Sequence, residues 1–152
     1  MKRQLDSAKA SKLHSPESSL GFLLSQLAGT VRERTSTTLA PLGITPRDLG
    51  LLLGLNDRPG ISQSELALRL RIDRTTMSQL VDALTQAKLI NRRVSPQDRR
   101  SHRLALTAAG SELLQRAAHL AEQVENEITA GMTSQQVVEL RRALAELMEQ
   151  NS

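Results

Sequence analysis

The chain has 152 residues, enough for one compact domain with a hydrophobic core or for two small domains packed closely together. It contains no cysteine, which excludes disulfides, thiol nucleophiles and thiolate metal sites, and one Phe without Trp or Tyr leaves few rings for stacking. No apolar run approaches the roughly 18 residues of a membrane span, and the basic amino terminus lacks the apolar core of a signal peptide. We therefore expect a cytoplasmic protein that does not enter a membrane.

The charge is unevenly distributed along the chain. Residues 45–106 carry eleven Lys and Arg against six acids, whereas residues 107–152 carry three against seven. A basic middle segment favours contact with a polyanion such as nucleic acid. Solvated helices that simply differ in charge would produce the same imbalance.

The first third of the chain predicts a polar arm and two helices. Residues 1–17 show no periodic apolar pattern, which predicts a mobile arm. The 4-3-4 spacing of Leu20, Leu24, Leu27 and Val31 predicts a helix that fades near "APLG" at 40–43. The next helix should begin with Thr45 as its N-cap and Pro46 at its first position, and Asp48 suits the first turn. The second helix should end at "NDRPG", 56–60, and its buried face is predicted to be Leu49, Leu52 and Leu53.

The segment from 62 to 72 carries two conflicting signals. "SQSE" at 62–65 is a capping box, which predicts a helix start. "LALRLRI" then alternates strictly from Leu66 to Ile72, as a strand does. We predict a short helix, because the capping box precedes the segment and a helical face is available from Leu66, Ala67 and Leu70.

The next helix is predicted to have two different sides. Asp73 is a plausible N-cap, and the helix should end near Lys88. A buried stripe is predicted at i, i+3, i+4 and i+7, formed by Met77, Leu80, Val81 and Leu84. That placement turns polar side chains outward: Arg74, Thr75, Ser78, Gln79 and Asp82.

A β-hairpin and two helices complete the chain. Two short strands, 89–95 and 102–107, carry Arg92, Arg93 and Arg103, and the polar turn "PQDRRS" between them carries Arg99 and Arg100. Thr107 should cap a long helix that ends at "GMTSQQ". Thr133 and Gln136 form a further capping box. The last helix is predicted to have an apolar face of Val137, Leu140, Leu144, Leu147 and Met148.

Residues 45–106 thus follow the plan of a winged helix-turn-helix within a mainly α protein that has a small β-hairpin. A helix with short or flexible polar side chains fits the DNA major groove and can read base edges there. The hairpin arginines can reach phosphates or a minor groove, and each phosphate contact adds salt-dependent affinity.

At this point the sequence resembles the MarR family of transcriptional regulators over about residues 20–150. The resemblance is carried by "DRTTMSQLVDAL" as recognition helix, "LINRR" before the wing, "DRRS" on it and "LTAAG" opening the next helix. It implies a homodimer formed by residues 18–44 and 107–152, with a winged helix-turn-helix at 45–106 that binds a pseudo-palindromic operator in double-stranded DNA. It also implies that helix residues face DNA: Arg74, Thr75, Thr76, Ser78 and Gln79. Arg99 would occupy the wing tip, with Asp98 and Arg100 bracing the turn.

The resemblance further implies a repressor that a small, often phenolic or lipophilic anion releases from DNA, with no cofactor. Two residues depart from the family pattern: Ser95 stands where an acid is common and Gln79 where a basic residue is common. The single histidines His14, His102 and His119 do not suggest a metal site, and no catalytic constellation or glycine-rich phosphate loop points to an enzyme. An architectural DNA-binding protein without a ligand switch, or a winged-helix protein-interaction module, remains an alternative.

Overall fold

A computed structural model describes residue 17 and residues 19–94 and 102–151. Helix α1, Leu20–Leu39, continues into a 3-10 turn at Ala40–Leu42. The remaining elements are α2 (Pro46–Asp57), α3 (Gln63–Leu70), α4 (Arg74–Gln86), β1 (Ile90–Val94), β2 (His102–Leu106), α5 (Ala108–Ile128) and α6 (Ser134–Gln150). The predicted mainly α fold with a small hairpin is confirmed. The predicted arm lies outside the described residues except for Glu17, and so does the turn at 95–101.

The helix starts follow the predicted caps, because each cap is a contact within three residues. Thr45 with Asp48, Ser62 with Glu65, and Thr133 with Gln136 each form a reciprocal capping box. Asp73 accepts a hydrogen bond from the Thr76 amide at the start of α4. Helix α4 ends at Gln86, two residues before the predicted end at Lys88, which has a positive φ of 59°.

The ambiguous segment "LALRLRI" is helical, as predicted. In a strand Leu66 and Leu68 would share one face, but here Leu66 is fully buried whereas Leu68 is 82% exposed. Arg71, in the left-handed conformation with φ 53°, ends the helix. The local capping box therefore outweighs the strand-like alternation.

The core lies where α2, α3, α4 and the hairpin base meet α5. Its fully buried members include Leu51, Leu52, Leu55, Leu66, Met77, Val81, Ile90, Leu104 and Ala117. The predicted burial of Leu53 is wrong, since this side chain is 45% exposed. The core contacts α2 through Leu51 and Leu55, one turn apart, and this leaves Leu53 on the outer side of the helix.

The hairpin is anchored at its base to the neighbouring elements. Arg93 pairs with Arg103 in the antiparallel register, and Arg103 also bridges to Ser62. The Gly60 amide donates to the Leu104 carbonyl, and the Leu104 amide donates to the Ile61 carbonyl, both at 3.0 Å. The base of the hairpin is therefore held against the start of α3.

None of the described helices is long and apolar enough to cross a membrane.

Candidate nucleic-acid interface

Helix α4 presents a polar outer face opposite a buried stripe. Met77 and Val81 are fully buried, and they fix the rotation of the helix about its axis. On the opposite side the exposed residues are Arg74, Thr75, Gln79 and Asp82. Side chains that donate or accept hydrogen bonds, held on one helix face, can reach base edges in a major groove.

Two residues predicted to face outward are half-buried instead. The expectation that Ser78 is exposed is wrong, because its Oγ accepts a hydrogen bond of 3.0 Å from Gln63 Nε2. The Thr76 hydroxyl donates to the Asp73 carboxylate at 2.6 Å. Together with the Thr76 amide, it holds the pKa of Asp73 below its ordinary value of 3.8. Each hydroxyl thus already makes one hydrogen bond within the protein.

Arg92 connects the first hairpin strand to both helices of the helix-turn-helix. Its Nη2 lies 3.1 Å from Gln63 Oε1 on α3 and 3.0 Å from Asp82 Oδ1 on α4. Gln63 was assigned no role from the sequence. Its only sequence signal is its position directly after the N-cap Ser62. The capping box explains the residue types of Ser62 and Glu65 but gives no reason for a glutamine at position 63.

Arg103 holds the second strand to the start of α3. Its Nη1 donates to the Gly60 carbonyl at 3.1 Å and lies 3.8 Å from the Glu65 carboxylate. Hydrogen bonds from the side chain and backbone of Ser62, with the nearby Arg103 and Arg58 guanidinium groups, hold the pKa of Glu65 below its ordinary 4.5. Arg93 is exposed.

Of the predicted DNA-binding residues, Arg74, Thr75 and Gln79 lie exposed on α4, and Arg92 lies against Asp82 of the same helix. Three of the predicted residues, Asp98, Arg99 and Arg100, lie outside the described residues. Among the described residues no group of His, Asp and Glu is arranged to hold a metal ion.

A second surface is apolar and lies on the terminal helices. Leu20, Leu24 and Leu27 of α1 are 38% to 64% exposed, although α1 packs along α5. No residue of α6 is buried, and its apolar face holds Val137, Leu140, Leu144 and Leu147. A patch of this kind usually marks a protein interface.

A cavity of about 340 Å³ lies between α2 and the α3–α4 turn. The charged residues that line it are Arg47, Arg71 and Asp73, and the apolar ones are Leu70 and Ile72. Arg71 Nη2 also donates to the Met148 carbonyl of α6 at 2.9 Å. The cavity is therefore bordered by a contact between the helix-turn-helix and the last helix.

Comparison with known proteins gives a consistent result. The MarR family model matches residues 42–101. The HTH-type transcriptional repressor Rv2887 of Mycobacterium tuberculosis is 31% identical over 128 residues, which cover 84% of this chain and 92% of the repressor. Among solved structures, the transcriptional repressor CouR bound to a 23-mer DNA duplex is 34% identical with a TM-score of 0.83, covering 90% of this chain and 97% of that one. The structure of CouR from Rhodococcus jostii RHA1 bound to p-coumaroyl-CoA has a TM-score of 0.81 at 24% identity. The match covers 88% of this chain and 94% of that one, and the two proteins share the same fold.

Proposed function

Because this chain belongs to the MarR family, we propose that it is a sequence-specific DNA-binding transcriptional regulator, a homodimeric repressor that a small organic anion releases from its operator. The observation that carries the proposal is the two-sided helix α4, whose polar face lies opposite the buried Met77 and Val81. The chain is also 34% identical to CouR, a repressor solved on a DNA duplex, and this similarity supports the same function. Proteins of this family are generally not enzymes.

Base reading is assigned to the exposed residues of α4. Gln79 can pair with adenine through two hydrogen bonds, and Thr75 offers both a hydroxyl and a methyl group that contacts thymine. The exposed cations Arg74 and Arg93 are proposed to bind phosphates, contacts that position the helix without reading sequence. Among the wing residues, Arg99 is proposed to contact DNA, with Asp98 and Arg100 bracing the turn.

The homodimer is proposed to form through residues 18–44 and 107–152. No residue of α6 is buried within the described part of the chain, and α1 exposes a second leucine stripe. A two-fold dimer covers both stripes and places two α4 helices side by side. Such a dimer binds half-sites about one helical turn apart, which predicts a pseudo-palindromic operator.

The effector is proposed to be an aromatic or lipophilic anion bound in the cavity beside Arg71. Arg47 and Arg71 supply charge for a carboxylate, and Leu70 and Ile72 contact an apolar body. Titration with aromatic carboxylic acids should raise the melting temperature, since a ligand that binds only the folded state stabilises it. If no acid raises it, the alternative of a DNA-binding protein without a ligand switch is favoured.

The proposed DNA reading is tested by selecting bound duplexes from a random pool with the full chain. We expect enrichment of two inverted half-sites about 10–10.5 base pairs apart. Affinity should also fall steeply with salt, because each phosphate contact releases counterions. Binding that is insensitive to salt would instead indicate the protein-interaction module.

A further inference from the structure

We propose that Gln63 is a positioning residue for DNA recognition, which ties α3, α4 and strand β1 into one unit, and that Ser78 serves this tie and does not read bases. The inference rests on the proposed DNA-binding function and extends it to residues on the inner side of the interface. It also changes the role of Ser78, which the sequence alone places among the base-reading residues.

The tie is a chain of hydrogen bonds between residues from three different elements. Gln63, the first residue of α3, donates from Nε2 to Ser78 Oγ at 3.0 Å. Its Oε1 accepts from Arg92 Nη2 at 3.1 Å. The amide has a single favourable orientation, because a flipped amide would place its NH2 group against the Arg92 guanidinium. Gln63 thus uses both the nitrogen and the oxygen of its side-chain amide.

Arg92 extends the chain to a second point on α4. Its Nη2 lies 3.0 Å from Asp82 Oδ1, and Asp82 follows Ser78 by one helical turn. Two attachment points a turn apart restrain both the position of α4 and its rotation. Gln79 lies between them, and base contacts require side chains placed to within about 0.5 Å. A restraint at Ser78 and Asp82 therefore acts directly on the geometry of the neighbouring base reader.

The same set of hydrogen bonds neutralises the negative charge of Asp82 on the proposed DNA-facing side. The Asp82 carboxylate is exposed on the outer face of α4, where it would repel phosphates. Arg92 lies against it from the hairpin, with a side chain only 30% exposed. Arg92 is therefore placed to act on DNA binding through Asp82 and Gln63, in addition to any phosphate contact.

The test compares Gln63→Met, Ser78→Ala and the double variant with the wild-type chain. Methionine keeps the length of glutamine but removes both hydrogen bonds. Kd is measured for the selected operator and for a scrambled duplex at several salt concentrations, together with the melting temperature. Gln123→Met is the matched control, since the Gln123 amide lies on the exposed side of α5 beside His119.

We expect Gln63→Met to lower the ratio of specific to non-specific affinity by about 3- to 10-fold, the effect of one net hydrogen bond. The salt slope should stay unchanged, because no phosphate contact is lost. The double variant should lose no more than the larger single loss, because both changes break one tie. Gln123→Met should behave as wild type. A merely structural role would lower the melting temperature and leave the affinity ratio of the folded protein intact.

Two results would overturn the inference while leaving the proposed function in place. One is a Gln63→Met variant that keeps the wild-type affinity ratio. The other is a double variant whose loss equals the product of the single losses, which would mean that Ser78 reads a base independently. A wild-type chain that enriches no sequence would overturn the proposed function itself, and this inference with it.

Discussion

Gly110, the third residue of α5, is expected to tolerate no side chain. A Cβ built there would lie 2.0 Å from the Leu89 carbonyl oxygen and 2.9 Å from its carbon, whereas ordinary contacts begin at 3.4 Å. Relieving the contact requires the backbone at the base of the hairpin to move by roughly 1.4 Å. The displaced oxygen accepts hydrogen bonds from the Thr107 amide at 3.0 Å and from the Thr107 hydroxyl at 3.1 Å.

The expected cost of Gly110→Ala follows from these contacts. Overpacking costs about 1–3 kcal/mol, and weakening two hydrogen bonds costs about 1–3 kcal/mol more. Alanine gains about 1 kcal/mol over glycine in helix propensity. The free energy of unfolding should therefore fall by about 1–5 kcal/mol, which lowers the melting temperature by roughly 2–20 °C.

The assay is urea unfolding at one fixed protein concentration, since the stability of a dimer depends on concentration. Gly50→Ala is the matched control: Gly50 lies inside α2, and an added Cβ there meets nothing within 4 Å. That variant should gain up to about 1 kcal/mol. If Gly110→Ala unfolds at the same urea concentration as the wild type or at a higher one, α5 does not pack closely against Leu89.

Three further outcomes are expected. Leu144→Asp should shift light-scattering mass from dimer toward monomer, because it places a charge in the apolar face of α6; an unchanged dimer would count against that interface. Gln79→Ala should lower operator affinity by about 1–3 kcal/mol and barely change binding to a scrambled duplex, and equal losses on both duplexes would exclude base reading by Gln79. The pKa values of Glu65 and Asp73 are lowered in the folded chain from 4.5 and 3.8, so their stabilising effect is present above these values and is lost as pH falls through the lower folded-state values. The free energy of unfolding should thus drop on acidification below about pH 4.5, and the double variant Glu65→Gln, Asp73→Asn should show a weaker drop in acid titrations of urea unfolding.

Features that depend on contacts within one or two turns could be predicted from the sequence. The capping boxes at Ser62 and Thr133 join residues three apart, so residue type and spacing predict them directly. The buried side of α4 follows from the spacing of Met77, Val81 and Leu84. The hairpin strands and the cap at Thr107 are likewise local signals.

Only the tertiary structure decided which polar side chains remain available to a ligand. Helical periodicity places Ser78 near the outer face, but a glutamine fifteen residues earlier occupies its hydroxyl. Arg92 meets Gln63 across 29 residues, and Gly110 leaves room for the Leu89 carbonyl of the turn between α4 and β1. These partners are brought together by the packing of α3, α4, β1 and α5 around a shared core. Such packing depends on the whole chain, so no residue spacing along the sequence records it.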